Sequence, residues 1–179
     1  MMLLLAEHTQ KIWTIEGFMS PQKCQDLIEF SEQKTYRPAT VTMGDSRRLL
    51  SGTRNNDRLI LDYAPMAERL FSKLISGLPE IDGMRATGLN ARFRFYRYGV
   101  GQRFKRHRDG RVNIDGSESR LTFMVYLNND FEGGATKFDD VTIHPKEGMA
   151  LLFIHELKHE SLPITDGQKY VLRSDVYYD

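Results

Sequence analysis

From about residue 86 onward, the chain consists of short runs rich in β-branched and aromatic residues, separated by glycine, asparagine, aspartate and proline. Runs of this kind, bounded by turn-forming residues, predict short β-strands. The clearest predicted strands are 89–98, 121–127, 136–138, 148–155 and 169–178. A chain with so many short strands must bury them by packing one sheet on another or by closing them into a barrel.

The N-terminal part has a helical pattern instead. Residues 20–33 predict a helix because Ser20 can cap it and Pro21 suits the first helical position. A second helix is predicted at about residues 65–75, before Gly77 and Pro79. The apolar stripes expected to be buried are Cys24, Leu27, Ile28 and Phe30 in the first helix and Met66, Leu70, Phe71 and Leu74 in the second.

Together these patterns predict a mainly β (α+β) fold. We expect a double-stranded β-helix, a jelly roll of the cupin type, with the N-terminal helices packed outside. The helical part would occupy about residues 1–85 and the jelly-roll core about residues 86–179. Residues 35–56 are polar and predict a long surface loop or a short hairpin. Since no composition shift marks a boundary, residues 1–179 are expected to form a single domain.

The composition excludes few classes of protein, but it bears on the expected partners and location. The apolar share of 40% and charged share of 27% are ordinary for a globular protein, and a net charge of +1 gives no reason to expect a nucleic-acid or membrane partner. Basic residues cluster at 103–111, but only Phe104 among them could stack on a base. The apolar run at the start is too short for a signal or a membrane span, and the lone Cys24 suits a reducing compartment. We therefore expect a cytoplasmic protein.

One segment concentrates groups that can hold a metal ion. His107 and Asp109 follow a predicted strand and a glycine-containing turn, and residues i and i+2 of an extended segment point the same way. A third ligand could come from His155 or His159. Two histidines and one carboxylate, with open positions opposite, are typical of non-haem iron(II) oxygenases, although zinc accepts the same ligands.

The predicted strand 89–98 alternates between an apolar and a polar face. A polar face of this kind is either exposed to solvent or lines the mouth of a barrel, where ligands bind. The neighbouring metal motif favours the second interpretation. The apolar face comprises Ala91, Phe93 and Phe95, and the polar face comprises Asn90, Arg92, Arg94, Tyr96 and Tyr98.

Six motifs, in order, resemble those of the prolyl 4-hydroxylase-like 2-oxoglutarate oxygenases. Residues 98–109 are similar to that family's Y-x-x-G-Q-x-F/Y-x-x-H-x-D segment. The other matches are residues 121–128 with the next strand, 131–138 with E-G-G-x-T-x-F, 145–153 with P-x-x-G-x-A-L-L-F, 159–164 with H-x-x-x-P-V and 167–170 with G-x-K-W/Y. The resemblance covers about residues 89–178.

The resemblance implies a set of metal ligands and a cosubstrate site. His107, Asp109 and His159 match the iron ligands, because Pro163 follows His159 at the family spacing, and His155 is left with a structural or supporting role. For 2-oxoglutarate, the resemblance implies that Lys169 pairs with the distal carboxylate, with Arg173 as a rival for this role, and that Tyr98 and Tyr126 line the pocket.

The implied activity is hydroxylation of an unactivated C–H bond. It would consume 2-oxoglutarate and O2 at Fe(II), with ascorbate as a supporting reductant, and the carboxylate at Asp109 favours hydroxylation over halogenation. The resemblance suggests a peptidyl residue of the prolyl type, or a free amino acid or small metabolite, as substrate. Arg92, Arg94 and Tyr96 are candidates for binding an acidic substrate.

Some alternatives remain open in the sequence. Residues 51–58 could form a lid over the site or a solvated loop. A non-catalytic cupin-like binding module would have the same fold. A zinc-dependent hydrolase would need a general base beside the metal, for which Glu160 is the obvious candidate.

Overall fold

The structure is a computed structural model that describes residues 5–43, 46–48, 52–114 and 116–179. Within these ranges lie two α-helices, one short 3-10 helix (Ile75–Gly77) and eighteen β-strands. The helices are α1 (Pro21–Glu32) and α2 (Ala64–Leu74). The strands are β1 (Ala6–Thr9), β2 (Ile12–Ile15), β3 (Arg37–Pro38), β4 (Val41–Met43), β5 (Ser46–Arg48), β6 (Asp57–Asp62), β7 (Ala86–Leu89), β8 (Arg92–Tyr98), β9 (Phe104–His107), β10 (Asn113–Ile114), β11 (Ser117–Tyr126), β12 (Phe131–Gly133), β13 (Thr136–Lys137), β14 (Thr142–Ile143), β15 (Ala150–Ile154), β16 (His159–Ser161), β17 (Ile164–Gly167) and β18 (Lys169–Tyr178).

Both predicted helices are present. The Ser20 hydroxyl accepts a hydrogen bond from the Lys23 backbone N–H at 3.3 Å, as expected of a helix cap. The buried stripe of α2 includes Met66, Leu70 and Leu74, as predicted. One prediction for α1 is wrong: Phe30 is 37% exposed, because the helix buries the side that carries Cys24, Leu27 and Ser31 instead.

The larger sheet is antiparallel throughout and has the strand order β1-β2-β15-β11-β18-β8-β6-β3, with β7 and β10 pairing β18 and β11. The predicted strand 89–98 is split in two, since Asn90 and Ala91 lie between β7 and β8. The sequence patterns did not predict the N-terminal hairpin β1–β2, which extends this sheet. The alternative of a short hairpin within residues 35–56 is confirmed by the pairing of β4 with β5.

The two faces of the larger sheet pack in different cores. Its outer face contributes Phe93, Phe95 and Leu172 to a cluster with apolar residues of α1 and α2, so the helices pack outside as predicted. Its inner face contributes Tyr96, Tyr98, Met124, Tyr126 and Val171 to a second cluster. The alternation predicted for β8 is therefore confirmed.

A smaller sheet of order β14-β13-β16-β9 covers the inner face. The two sheets are in direct contact, since the ring centroids of Phe153 on β15 and His159 on β16 lie 4.5 Å apart. Two sheets that enclose a core between them make the double-stranded β-helix that the sequence predicts. No helix in the described part of the chain is long and apolar enough to cross a membrane.

Gly148 offers a test of how β15 is anchored to the N-terminal region. Its φ is +73°, and a Cβ atom there would collide with the Met19 carbonyl oxygen. We expect Gly148→Ala to lower the free energy of unfolding by more than the ~1–2 kcal/mol that a left-handed backbone alone costs. Gly83→Ala is the control, because Gly83 has a φ of +78° and open space around it. Equal losses in denaturant titrations would contradict the close packing against Met19.

Candidate metal centre

Two histidines face each other across the smaller sheet. His107, the last residue of β9, is the cross-strand partner of His159, the first residue of β16. Partners in an antiparallel pair have Cβ atoms about 4.5–5.5 Å apart, on the same face of the sheet. The two imidazole rings accordingly lie with their centroids 4.3 Å apart.

Asp109 lies in the irregular segment that follows β9. One carboxylate oxygen is 3.7 Å from His107 Nε2, and the other is 3.7 Å from His159 Nε2. The candidate ligand atoms of these three residues, which we call the triad, all lie within 4.8 Å of one another. Since metal–nitrogen bonds are about 2.0–2.1 Å long, one ion can contact all three after small shifts.

Both histidines present the same nitrogen toward Asp109. His107 Nδ1 donates to the Lys105 carbonyl at 2.8 Å, and His159 Nδ1 donates to the Leu157 carbonyl at 3.0 Å. Such bonds fix the tautomer and leave the Nε2 lone pair for a metal. Burial, reinforced by the neighbouring His159, lowers the pKa of His107 to about 3. The ring is therefore neutral at pH 7, as a metal ligand must be.

Asp109 is held as an anion. Burial alone would raise its pKa, but the Arg173 guanidinium and the hydrogen bond from Thr122 hold that pKa well below its usual range. Arg173 approaches the carboxylate at 3.2 Å, and the Thr122 hydroxyl donates to it at 2.5 Å. The triad therefore offers two imidazoles and one carboxylate.

A chain of buried hydrogen bonds continues behind Asp109. Thr122 Oγ1 lies 3.0 Å from His155 Nδ1, and His155 Nε2 lies 3.0 Å from Ser119 Oγ, which accepts from the Val112 N–H. Each donor finds one acceptor if His155 carries its proton on Nδ1, so the network is satisfied throughout. His155 thus lies outside the triad and supports Asp109 through Thr122.

A small cavity of about 30 Å³ adjoins the triad. Its walls include Tyr96, Tyr98, Phe104, Lys169, Val171 and Arg173. Its size is that of one or two water molecules, so the side chains that meet across it must separate to admit a larger ligand.

Lys169 is a buried cation at this cavity. Its Nζ donates to the Gly134 carbonyl at 2.5 Å and to Ser161 Oγ at 3.1 Å, and it lies 5.2 Å and 5.4 Å from the ring centroids of Tyr98 and Tyr126. No carboxylate in the described part of the chain forms an ion pair with it. Burial lowers the pKa of Lys169 to about 7, because the charged form lacks a counterion.

Arg173 lies four residues along β18 and has different partners. Its Nη2 atom pairs with Asp109 at 3.2 Å and with Asp175 at 3.0 Å, and its Nη1 atom donates to the Tyr96 hydroxyl at 3.3 Å. The two cations therefore differ in their partners: Arg173 has two carboxylates, whereas Lys169 has only neutral acceptors.

The two tyrosines predicted for the cosubstrate site lie beside Lys169. Tyr98 is the cross-strand partner of Lys169, and burial raises its pKa to about 12. The Tyr126 hydroxyl lies 2.7 Å from Thr136 Oγ1. Both hydroxyl groups are therefore neutral at pH 7 and can donate a hydrogen bond.

Comparison with known proteins places this arrangement in a family. The sequence model of the 2OG-Fe(II) oxygenase superfamily matches residues 93–174, which include the whole triad. Together with the triad, this match supports a 2OG-Fe(II) oxygenase. As a 2OG-Fe(II) oxygenase, it uses iron(II), 2-oxoglutarate and O2. Two imidazoles and a carboxylate suit iron(II) and leave coordination positions open for further ligands.

The similar proteins include named prolyl hydroxylases. A protein of Acanthamoeba polyphaga mimivirus, provisionally named prolyl 4-hydroxylase, is 26% identical over 90% of this chain and 72% of its own length. A solved collagen prolyl hydroxylase of Paramecium bursaria Chlorella virus-1, in complex with 2-oxoglutarate, is 23% identical with a TM-score of 0.68, covering 94% of this chain and 96% of its own. A Pseudomonas putida prolyl-4-hydroxylase has a TM-score of 0.70 at 18% identity, covering 93% of this chain and 92% of its own.

The predicted substrate-binding residues of the oxygenase lie at different distances from the cavity. Tyr96 lines the cavity. Arg94 lies behind it, where it pairs with Asp175 at 2.9 Å. Arg92 is at the distant end of β8, about 13 Å along the strand from Tyr96, and pairs with Asp62 at the surface. The expectation for Arg92 is therefore wrong, because alternation gives the face of a strand but not the distance from the site.

The sequence patterns missed two residues beside the triad. The ring of Phe104 stacks on that of His107 with centroids 3.4 Å apart, and the Arg54 guanidinium lies over Phe104. Ser51 lies outside the described residues, but Arg54 and Asn56 are 5% and 0% exposed, so the solvated-loop interpretation of residues 51–58 is wrong for these two. A lid function for this segment stays a prediction.

The Thr122 hydroxyl provides a test of how Asp109 is oriented. We expect Thr122→Val to weaken iron(II) binding about tenfold or more, because Asp109 loses a hydrogen bond that orients it and His155 loses its acceptor. Iron affinity is measured by anaerobic titration of the metal-free protein. Thr122→Ser is the matched control and should bind as the wild type does. Unchanged affinity in the valine variant would show that the network does not orient the ligand.

Proposed function

We propose that this oxygenase hydroxylates an unactivated C–H bond of a prolyl residue in a peptide or protein, with a free amino acid or small metabolite as the second substrate class. The names of its relatives support the prolyl reaction. The observation that carries the proposal is that the triad and an unpaired buried cation share one cavity.

In the proposed site, His107, Asp109 and His159 bind iron(II). With 2-oxoglutarate bound, the metal supplies the oxidising power to insert one atom of O2 into a C–H bond, with succinate and CO2 as products. The protein orients these ligands: hydrogen bonds from Nδ1 orient both imidazoles, and a hydrogen bond from Thr122 orients Asp109. The two sheets enclose the cavity and limit the access of bulk water to it.

Lys169, rather than Arg173, is proposed to bind the distal carboxylate of 2-oxoglutarate. A buried cation without a counterion gains more from an incoming anion than one that is already neutralised. Ser161 and Tyr98 lie close enough to share that carboxylate with Lys169. The proposed role of Tyr126 is to pack against the methylene groups of Lys169 and keep its ammonium group in place.

A zinc hydrolase on the same fold is disfavoured by the position of Glu160. Glu160 is the neighbour of His159 on β16, and successive side chains of a strand point to opposite faces. The carboxylate therefore leaves the sheet on the side away from the triad. A pure binding module is disfavoured because the triad is complete and a hydrogen bond orients each of its three ligands.

The proposal includes a cytoplasmic location and no nucleic-acid partner. The location rests on the single buried Cys24. The positive charge of the basic segment 103–111 is partly neutralised, because Arg106 pairs with Asp139 and Arg111 pairs with Glu118 and Glu156. Ascorbate is expected to support turnover.

Turnover of 2-oxoglutarate tests the proposed metal ligands. We expect purified protein with iron(II) and ascorbate to release succinate, and His107→Ala or Asp109→Ala to reduce this release to background, since each removes a ligand. Glu160→Gln is the control and should keep wild-type turnover because its side chain leaves the opposite face of the sheet. Succinate formation that survives both triad variants, or is lost in Glu160→Gln, would contradict the assignment.

The pH dependence of 2-oxoglutarate binding tests Lys169. The free enzyme has a Lys169 pKa of about 7, whereas the bound dianion favours the charged form. We therefore expect proton uptake on binding, with affinity nearly constant below pH 7 and falling about tenfold per unit above it. Lys169→Met should abolish this dependence and weaken binding by about 10–100-fold. If Arg173→Met weakens cosubstrate binding and Lys169→Met does not, Arg173 is the anchor instead.

A further inference from the structure

The side chains around the cavity carry more positive charge than is balanced when the metal and the cosubstrate bind. Resting on the proposed function, we propose that the substrate carries a carboxylate close to the carbon that is hydroxylated, and that Arg54 and Arg173 bind it. The carboxylate belongs either to the reacting residue itself, as in a free amino acid or a C-terminal residue, or to an acidic side chain beside it.

The charge balance is the first argument. In or directly behind the cavity, the described residues include four cationic side chains (Arg54, Arg94, Lys169 and Arg173) and two carboxylates (Asp109 and Asp175). Iron(II) brings two positive charges and 2-oxoglutarate brings two negative ones, so their charges cancel. With Lys169 protonated in that complex, an excess of two positive charges remains, and a substrate carboxylate would reduce it.

Arg54 is the second argument. It is 5% exposed, and its guanidinium carbon lies 4.5 Å and 4.3 Å from the ring centroids of Tyr96 and Phe104, which both line the cavity. Its Nε atom donates to Asn56 Oδ1 at 2.7 Å, but its buried Nη2 atom has no hydrogen-bond partner among the described residues. A buried guanidinium without a carboxylate partner is costly, and a bound anion would remove that cost.

Arg173 shows the same feature on the neighbouring wall. Its Nε atom is also buried without a partner among the described residues, although Nη2 contacts Asp109 and Asp175. Tyr96 lies between the two guanidinium groups, with its hydroxyl bonded to Arg173 and its ring under Arg54. Although burial would raise the pKa of Tyr96, Arg173 and Arg54 lower it to about 8, consistent with a positive potential on this side of the cavity.

The cavity therefore has two cationic ends, with Lys169 at one and Arg54 and Arg173 at the other. Lys169 lies four residues from Arg173 on β18, a separation of about 13 Å along the strand, with the side chain of Val171 between them on the same face. A 2-oxoglutarate molecule anchored at Lys169 leaves Arg54 and Arg173 to the substrate. The reaction is unaltered: one oxygen atom of O2 converts the substrate C–H bond to C–OH, the other enters succinate, and 2-oxoglutarate loses CO2.

A panel of proline compounds tests the proposal. The panel comprises L-proline, acetyl-Ala-Pro with a free carboxylate, the same dipeptide as its amide, and the amidated tripeptides acetyl-Ala-Pro-Glu and acetyl-Ala-Pro-Gln. Binding is measured by calorimetry on the enzyme loaded with manganese(II) and 2-oxoglutarate, and hydroxylation by mass spectrometry with iron(II). We expect each compound with a carboxylate to have an affinity and a hydroxylation rate at least about tenfold higher than those of its neutral counterpart. The comparison of acetyl-Ala-Pro with its amide tests a terminal carboxylate, and the comparison of the Glu and Gln tripeptides tests a side-chain carboxylate.

Variants separate charge recognition from packing. Arg54→Met keeps the contact with Tyr96 and Phe104 but removes the charge, so we expect it to lower the ratio of acid to amide kcat/KM about tenfold, with an unchanged KM for 2-oxoglutarate. Arg54→Lys should restore part of that ratio. Arg103→Met, an exposed arginine beside Phe104, is the control and should leave the ratio unchanged. A purely structural role for Arg54 would reduce acid and amide turnover equally.

The outcomes separate this proposal from the proposed function. If the enzyme releases no succinate under any condition, the oxygenase activity itself fails. If it releases succinate but binds amides as well as acids, or binds neither class, only the carboxylate proposal is overturned. An unchanged acid-to-amide ratio in Arg54→Met would likewise overturn the role given to Arg54.

Discussion

The site depends on one cross-strand pairing, that of His107 on β9 with His159 on β16. The residues are more than fifty positions apart in the sequence, and only the register of the smaller sheet brings their imidazoles together. Because side chains alternate along a strand, a slip of one residue would turn one histidine to the opposite face. The irregular segment after β9 then adds Asp109 to the pair. The metal centre is therefore a consequence of strand register, and the rest of the fold serves to hold that register.

The larger sheet supplies the polar groups that surround this pair. Its inner face presents Thr122 behind Asp109, Lys169 beside the tyrosines, and Arg173 against the carboxylate, all on the central strands β11 and β18. Its outer face is covered by the two helices, so the central strands are buried on both sides. Central strands suit the proposed site, because they would hold the metal and the proposed carboxylate site at Lys169 a fixed distance apart.

Much of this was predictable from sequence, for identifiable reasons. The family, the jelly-roll fold, the oxygenase class and its cofactors are confirmed, because ordered motifs such as those around residues 98–109 reflect a whole arrangement of strands. The roles of individual site residues and the single-domain organisation stay predictions. Local patterns did not predict burial or distance from the site where contacts with other elements determine them. Phe30 shares a predicted helix stripe but is exposed, and Arg92 shares a face with Tyr96 but is far from the cavity. Arg54 was predicted only as part of a possible lid at residues 51–58, since its place beside the cavity is set by contacts with β8 and β9.

One iron(II) ion, held by the triad, is proposed to bind 2-oxoglutarate in the adjoining cavity, and the visible absorption of the protein under anaerobic conditions tests this arrangement. We expect a weak charge-transfer band when iron(II) and 2-oxoglutarate are both added, and none with either alone or with zinc in place of iron. If the protein binds both ligands and no such band develops, the metal and the cosubstrate do not meet, and the triad is not the iron site of the reaction.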